Sequence, residues 1–275
     1  MSGPDDASCP GGRTSSASVA AFPAGLSQPE GAMRFAVDSL LLPSFAAESL
    51  KKKPLRLKNP LREGAFGIQG GGLACADLGV GCGASALALL LLVPNVKVWG
   101  VDIAAELAES ARQNAAAMKL SHRARFETVD VACLADVQRP FCDVVQMNPP
   151  YWEEGAGLPS PKALVNCARR SQGAVKDFLR AARKLLVHHG RLFIVFPAAR
   201  MVPLLEETGR CGFGVRRIRA VRPFAGSKAG RVLVEAVKDA RHETDWAADV
   251  VLYSRTEEGK PVPTREAKAF CPWLK

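Results

Sequence analysis

No C-x-x-C pair occurs among the eight cysteines, which stand at 9, 75, 82, 133, 142, 167, 211 and 271, and no Cys/His cluster has zinc-ligand spacing. The common structural zinc modules are excluded. No apolar run reaches the roughly 20 residues of a membrane span. The longest, 84–93, is about half that length. No charged-then-apolar leader opens the chain, which begins Met-Ser-Gly-Pro-Asp-Asp. No internal repeat is present. These absences predict a cytoplasmic protein with reduced thiols, no resident metal and no membrane partner. Net charge is absent from the first half: residues 1–150 carry 14 Lys and Arg against 14 Asp and Glu. Residues 151–275 carry 23 against 13, the whole of the +10 excess. A basic half of this kind suits an anionic partner, nucleic acid first. The remaining composition, 48% hydrophobic and 23% charged over 275 residues, is that of a globular chain with one large domain or a domain plus an appendage.

Residues 1–30 are rich in Ser, Gly, Pro and Ala and read as a disordered tail. A short apolar helix over 35–45 follows, then a basic stretch with Lys51, Lys52, Lys53, Arg56, Lys58 and Arg62, and a glycine connector at 70–72. Residues 31–72 thus form a small N-terminal appendage. From Leu73 strands and helices alternate: strands over 73–77, 96–101, 125–129, 141–147 and 191–196, and helices over 84–92, 104–118, 174–187 and 202–211. His188 and His189, just before a glycine, read as a helix end. Strands 215–221 and 231–237 are so close that they are expected to pair antiparallel. The pattern predicts a doubly wound α/β domain over 73–240, with a mostly parallel, seven-stranded, Rossmann-like sheet and a C-terminal extension over 241–275.

Three constellations carry chemistry. Asp77-Leu78-Gly79-Val80-Gly81-Cys82-Gly83 links the first strand to a helix. Gly79, Gly81 and Gly83 let the backbone approach a ligand, and the helix N-terminus offers unpaired N–H groups. Gly79, Gly81 and Ala84 also satisfy a dinucleotide pattern, so a nicotinamide cofactor is one reading. Asp77 would repel a pyrophosphate and suits a cationic ligand with an amino-acid portion, such as S-adenosyl-L-methionine. Asp102 ends the second strand, where a carboxylate accepts from a ribose diol or caps the following helix. Asp130 ends the third strand and can accept from an adenine amino group, or simply make a turn. Asn148-Pro149-Pro150-Tyr151 follows the fourth strand. The Asn148 side-chain oxygen and the Pro149 carbonyl can each accept one N–H of a planar amino group, and Tyr151 offers a stacking face.

Together these residues resemble a class I S-adenosylmethionine-dependent methyltransferase of the amino-group type. The segment Phe35-Ala36-Val37-Asp38-Ser39-Leu40-Leu41-Leu42 and the run from Gly190 to Lys238 are similar to the bacterial tRNA(Val) adenine-N6 methyltransferase family. The resemblance implies methyl transfer to the exocyclic N6 of an adenine in RNA, most simply tRNA. It implies Asn148, Pro149 and Tyr151 as catalytic residues, and Ile103 and Val131 joining Asp77, the three glycines, Asp102, Asp130 and Asn148 around the cofactor. Lys51, Lys52, Lys53, Arg169, Arg170, Arg216, Arg217, Arg219 and Arg222 become candidate phosphate contacts. Release-factor glutamine methyltransferases share Asn-Pro-Pro-Tyr, and a silent RNA-binding module could keep the fold. The long basic insert and the tail beyond Arg241, with Trp246 and Trp273, depart from the family pattern.

Overall fold

A computed structural model describes residues 22–32, 34–55, 68, 71–136, 141–150 and 174–275. Helix α1 (Asp38–Lys52) precedes the alternating unit β1 (Leu73–Leu78), α2 (Ala84–Leu92), β2 (Val96–Asp102), α3 (Ala105–Ala117), β3 (Ala124–Thr128) and β4 (Cys142–Met147). After α4 (Ala174–Leu185) come β5 (Leu186–Pro197), α5 (Met201–Arg210), β6 (Phe213–Phe224), β7 (Arg231–Lys238), β8 (Asp245–Arg255), β9 (Pro261–Pro263) and α6 (Arg265–Phe270). Strands β1, β2 and β4 are buried at every residue, as a sheet covered on both faces requires.

The sheet has nine strands in the order β3-β2-β1-β4-β5-β7-β6-β8-β9. Pairings from β3 to β5 are parallel, and β7 is antiparallel to both β5 and β6, as the short connection predicts. The expected seven strands are exceeded by β8 and β9, both from the region beyond Arg241. β8 pairs in parallel with β6. The extension is therefore part of the sheet: Val250, Leu252, Ala267, Trp273 and Leu274 are all buried in one core.

Three further expectations are corrected. The tail expected over 1–30 does not extend to its last residues: Phe22 is buried, with its ring 4.9 Å from that of Trp273. Residues 1–21 lie outside the described residues. The apolar helix is longer than expected. It carries Pro43 in its interior and continues to Lys52, because Leu40, Leu41, Leu42, Phe45, Ala46 and Leu50 share a buried face. It stops before Pro54, whose ring disfavours helix at the preceding residue. His188 and His189 lie within β5 and not at a helix end. Their rings stack at 3.9 Å, and His188 Nδ1 is 2.9 Å from Asp239 Oδ2.

Apolar side chains form a core on each face of the sheet. One joins α1, α2, α6 and residue 22; the other joins α4, α5 and the turn Val131–Asp136. Strand order reverses between β1 and β4, the switch point at which sheets of this kind bind ligands beyond the carboxyl ends of their strands.

Candidate active site

Parallel pairing sets the site's geometry. Leu78 of β1 is in register with Met147 of β4 and with Val101 of β2. One residue later the three strands release Gly79, Asn148 and Asp102 side by side, about 4.8 Å apart between neighbouring strands. The glycine loop is tied down by hydrogen bonds from the Gly79 and Val80 N–H groups to the Val101 carbonyl, both 2.9 Å. Gly81 has φ +58°, and a Cβ there would meet nothing within 4 Å, so this side of the loop is open. Gly83 has φ +89°, and its missing Cβ lets the loop close onto Ala111 of α3.

Asp102 is buried. It accepts from the Gly81 N–H at 2.9 Å through Oδ2 and from the Ala104 N–H at 3.0 Å through Oδ1. It caps the approach to α3 and braces the glycine loop at once. Burial pushes its carboxyl upward. Ile103 beside it is 55% exposed, an apolar face at the site's rim. Asp130 is exposed and accepts from the Ala132 N–H at 2.9 Å, while Val131 is buried beneath it. Asn148 is half-buried and Pro149 buried. Tyr151, Arg169 and Arg170 lie outside the described residues.

Asp77 is 2% exposed. Burial, reinforced by Asp102, pushes its carboxyl up to about 7, although the Gln146 amide donates to it at 2.8 Å. The residues missed by sequence reading cluster here. Gln146 and Ser85 stand behind Asp77. Asn114 of α3 donates to the carbonyls of Ser27 and Cys82, both at 2.9 Å, and accepts from the Ser27 N–H. Gln28 reaches Cys82 Sγ. A chain segment inside the expected tail is thus docked on the glycine loop. Only Gln146 left a signal, a polar residue within the apolar run of β4. The Cys82 thiol is pushed up by burial, and the six described cysteines are unpaired to one another.

The structure bears most directly on two of the candidate phosphate contacts. Arg217 and Arg219 are half-buried beneath α1. Arg217 lies 4.0 Å above the Phe45 ring and 3.2 Å from Glu235, and Arg219 pairs with Glu48 at 2.6 Å. A guanidinium desolvated and paired in this way is not available to a phosphate. Arg216 pairs with Glu243 and Arg222 with Asp249. Lys51, Lys52 and Lys53 are exposed, but at the far end of the molecule. The Lys53 carbonyl accepts from Arg191, six residues before the end of β5 and so about 20 Å below the carboxyl edge. Among the described residues no group of three or more metal-ligating side chains converges, and no helix is long and apolar enough to cross a membrane.

Comparison with known proteins bears on this arrangement. A family model described as the methyltransferase small domain matches residues 71–208, half of the chain. Two tRNA1(Val) (adenine(37)-N6)-methyltransferases, from Trichodesmium erythraeum and Porphyromonas gingivalis, are each 28% identical to it. Their matches cover 59% and 58% of this chain and 68% and 64% of their own lengths. The chain thus spans about two thirds of these relatives. A release factor glutamine methyltransferase from Chlorobaculum tepidum is 41% identical over 81 residues, 28% of this chain. Among solved structures, a predicted O-methyltransferase from Agrobacterium tumefaciens superposes with a TM-score of 0.60, covering 86% of this chain and 95% of its own at 22% identity, a likeness of fold.

Proposed function

The chain belongs to the methyltransferase small-domain family, and on that premise we propose that it methylates the exocyclic N6 of an adenine in RNA, with tRNA the expected substrate. The observation that carries this reading is the common rung. The glycine loop after β1 and the Asn-Pro-Pro loop after β4 leave adjacent strands at the same level. A cofactor cradle and a pair of acceptors for a planar amino group therefore face each other across the switch point. The similarity to tRNA adenine-N6 methyltransferases supports the same substrate.

The residues present fit S-adenosylmethionine. Asp77, a buried carboxylate whose charged neighbour is another carboxylate, suits an ammonium group. Asp102 suits a ribose diol, Ile103 the face of a base, and the open side of Gly81 a close approach of ligand to backbone. Bound there, S-adenosylmethionine supplies a methyl group on a sulfonium leaving group. The protein's own work is then positioning. Asn148 accepts one amino hydrogen and the Pro149 carbonyl the other, which turns the nitrogen's lone pair toward the methyl group. Buried Pro149 keeps this loop stiff. The target adenine must leave its stack to reach the site.

The RNA would approach the carboxyl edge. β6 and β8 run parallel to β4, so the turn 225–230 and the end of β8 reach that edge. Lys228 is exposed in this turn, and exposed Arg255 lies 4.4 Å above the Phe224 ring. These two cations take over the role expected of the Arg216 group. The 41% match to a glutamine methyltransferase makes a peptide glutamine the second reading. Incubation with labelled S-adenosylmethionine and separate tRNA, rRNA, DNA and protein fractions tests both. Label is expected in tRNA as N6-methyladenosine, and label confined to protein would contradict the proposal.

A further inference from the structure

Gln146 stands in the middle of the sheet, fully buried, within an otherwise apolar part of β4. Its amide Nε2 donates to Asp77 Oδ2 at 2.8 Å and to Ser85 Oγ at 3.0 Å. Its Oε1 is buried and meets no hydrogen-bond donor among the described residues. An unsatisfied buried acceptor of this kind is destabilising, and an apolar side chain of the same length would avoid it. The fold therefore carries a cost at this position, and the two bonds that Gln146 does make lead to the ligand side of the sheet. Asp77 immediately precedes the glycine loop and is in register with Gln146.

We propose that Gln146 is a positioning residue for the amino-acid end of the cofactor: it clamps one oxygen of Asp77 so that the other is held, ionised, toward the ligand's α-ammonium. The inference rests on reading the switch point as an S-adenosylmethionine site. The surroundings of Asp77 support it. Asp102, beyond the end of β2, acts on it with charge of the same sign, and Cys75, two residues back on β1, is a buried thiol. On β4 the neutral Gln146 amide donates to Asp77, and the same amide nitrogen also reaches the Ser85 hydroxyl of α2. No cation is among the groups that shift Asp77. A buried carboxylate so placed takes up a proton unless a donor and a cation hold its charge. Gln146 is the donor, and the ligand brings the cation.

Calorimetric titration with two probes separates this role from a structural one. S-adenosylhomocysteine carries the ammonium and carboxylate; 5′-methylthioadenosine keeps the nucleoside and lacks both. Gln146→Met removes the donor at nearly constant volume. At pH 7 it should weaken S-adenosylhomocysteine about tenfold, the scale of a hydrogen bond to a charged group, and leave 5′-methylthioadenosine within about twofold. Affinity of the native protein for S-adenosylhomocysteine should rise as pH passes through about 7, that for 5′-methylthioadenosine should stay flat, and the variant's midpoint should move higher. Equal losses for both probes, or no loss for either, would overturn the inference alone. Should Gln146→Met fail to fold, parallel pH profiles of the two probes on the native protein would overturn it equally. Native protein that binds neither probe would overturn the cofactor assignment, and the inference with it.

Discussion

On the proposed reading, Asp77 sets function against stability at a single residue. Its carboxyl ionises near 3.8 in the unfolded chain and only near 7 in the fold, because the ionised form has lost its water. The sign follows. Below about pH 4 the group is neutral in both states and contributes no penalty. Between 4 and 7 the unfolded chain releases the proton first, so stability falls as pH rises. Above 7 the penalty is complete, about 4 kcal/mol for a shift of this size. Asp77→Asn should therefore be more thermostable than the native protein at pH 8, with the advantage gone near pH 4, while its affinity for S-adenosylhomocysteine collapses. A thermal midpoint difference that does not depend on pH would show that Asp77 is not the group responsible. The places of Asp77, Asp102 and Asn148 at strand ends were legible in the sequence because strand ends and turns leave local signals. Gln146 was only half legible: an amide in an apolar strand marks a buried polar group, but its partner on β1 is fixed by register, which no short motif encodes.

At the scale of elements, α1 lies on the β5-β7-β6 face over a buried ionic network. Arg217 and Arg191 both reach Glu235, Arg217 and Arg219 both reach Glu48, and Ser49 donates to Glu235 at 2.7 Å. Asp38, at the other end of the helix, is buried against Arg231 at 2.7 Å. The apolar spacing of α1 was readable as a helix packed on something larger. The arginines of β6 read as an RNA surface because a strand of alternating charge looks solvated. Only the docking of α1, 170 residues earlier in the chain, turns their side chains into interior groups. Removing one partner from such a network leaves an uncompensated buried charge, which costs about 3–5 kcal/mol. Arg217→Met should lower chemical stability by that order while the fraction that folds binds tRNA within about twofold of native. A stable variant with tRNA binding lost would return Arg217 to the RNA interface. The final strands were missed for a related reason. Nothing local marks β8 as a ninth-strand neighbour of β6, whereas Trp273 and Phe22, at opposite ends of the chain, complete one core.

Over the whole molecule, basic side chains among the described residues stand at both edges of one sheet. The amino edge carries Lys51, Lys52, Lys53 and Arg216; the carboxyl edge, where the proposed site lies, carries Lys228 and Arg255. Phosphate contacts release counterions, so each one lost flattens the dependence of affinity on salt by close to one unit of log–log slope. Replacing Lys228 and Arg255 together by Ala should flatten the tRNA salt slope by one to two units and leave S-adenosylhomocysteine affinity alone. Replacing Lys51, Lys52 and Lys53 should do far less, and the opposite ranking would place the RNA at the amino edge. All of this depends on Asn148 holding the nitrogen that receives the methyl group. The most direct test is single-turnover methyl transfer to tRNA by Asn148→Ala, with S-adenosylhomocysteine affinity measured on the same preparation. Cofactor affinity should stay within about threefold of native while transfer falls roughly a hundredfold or more, the scale of losing one preorganised polar group in a transition state. Transfer at the native rate would contradict it, leaving the Asn-Pro-Pro loop a structural turn and the amino-nitrogen acceptor without a basis.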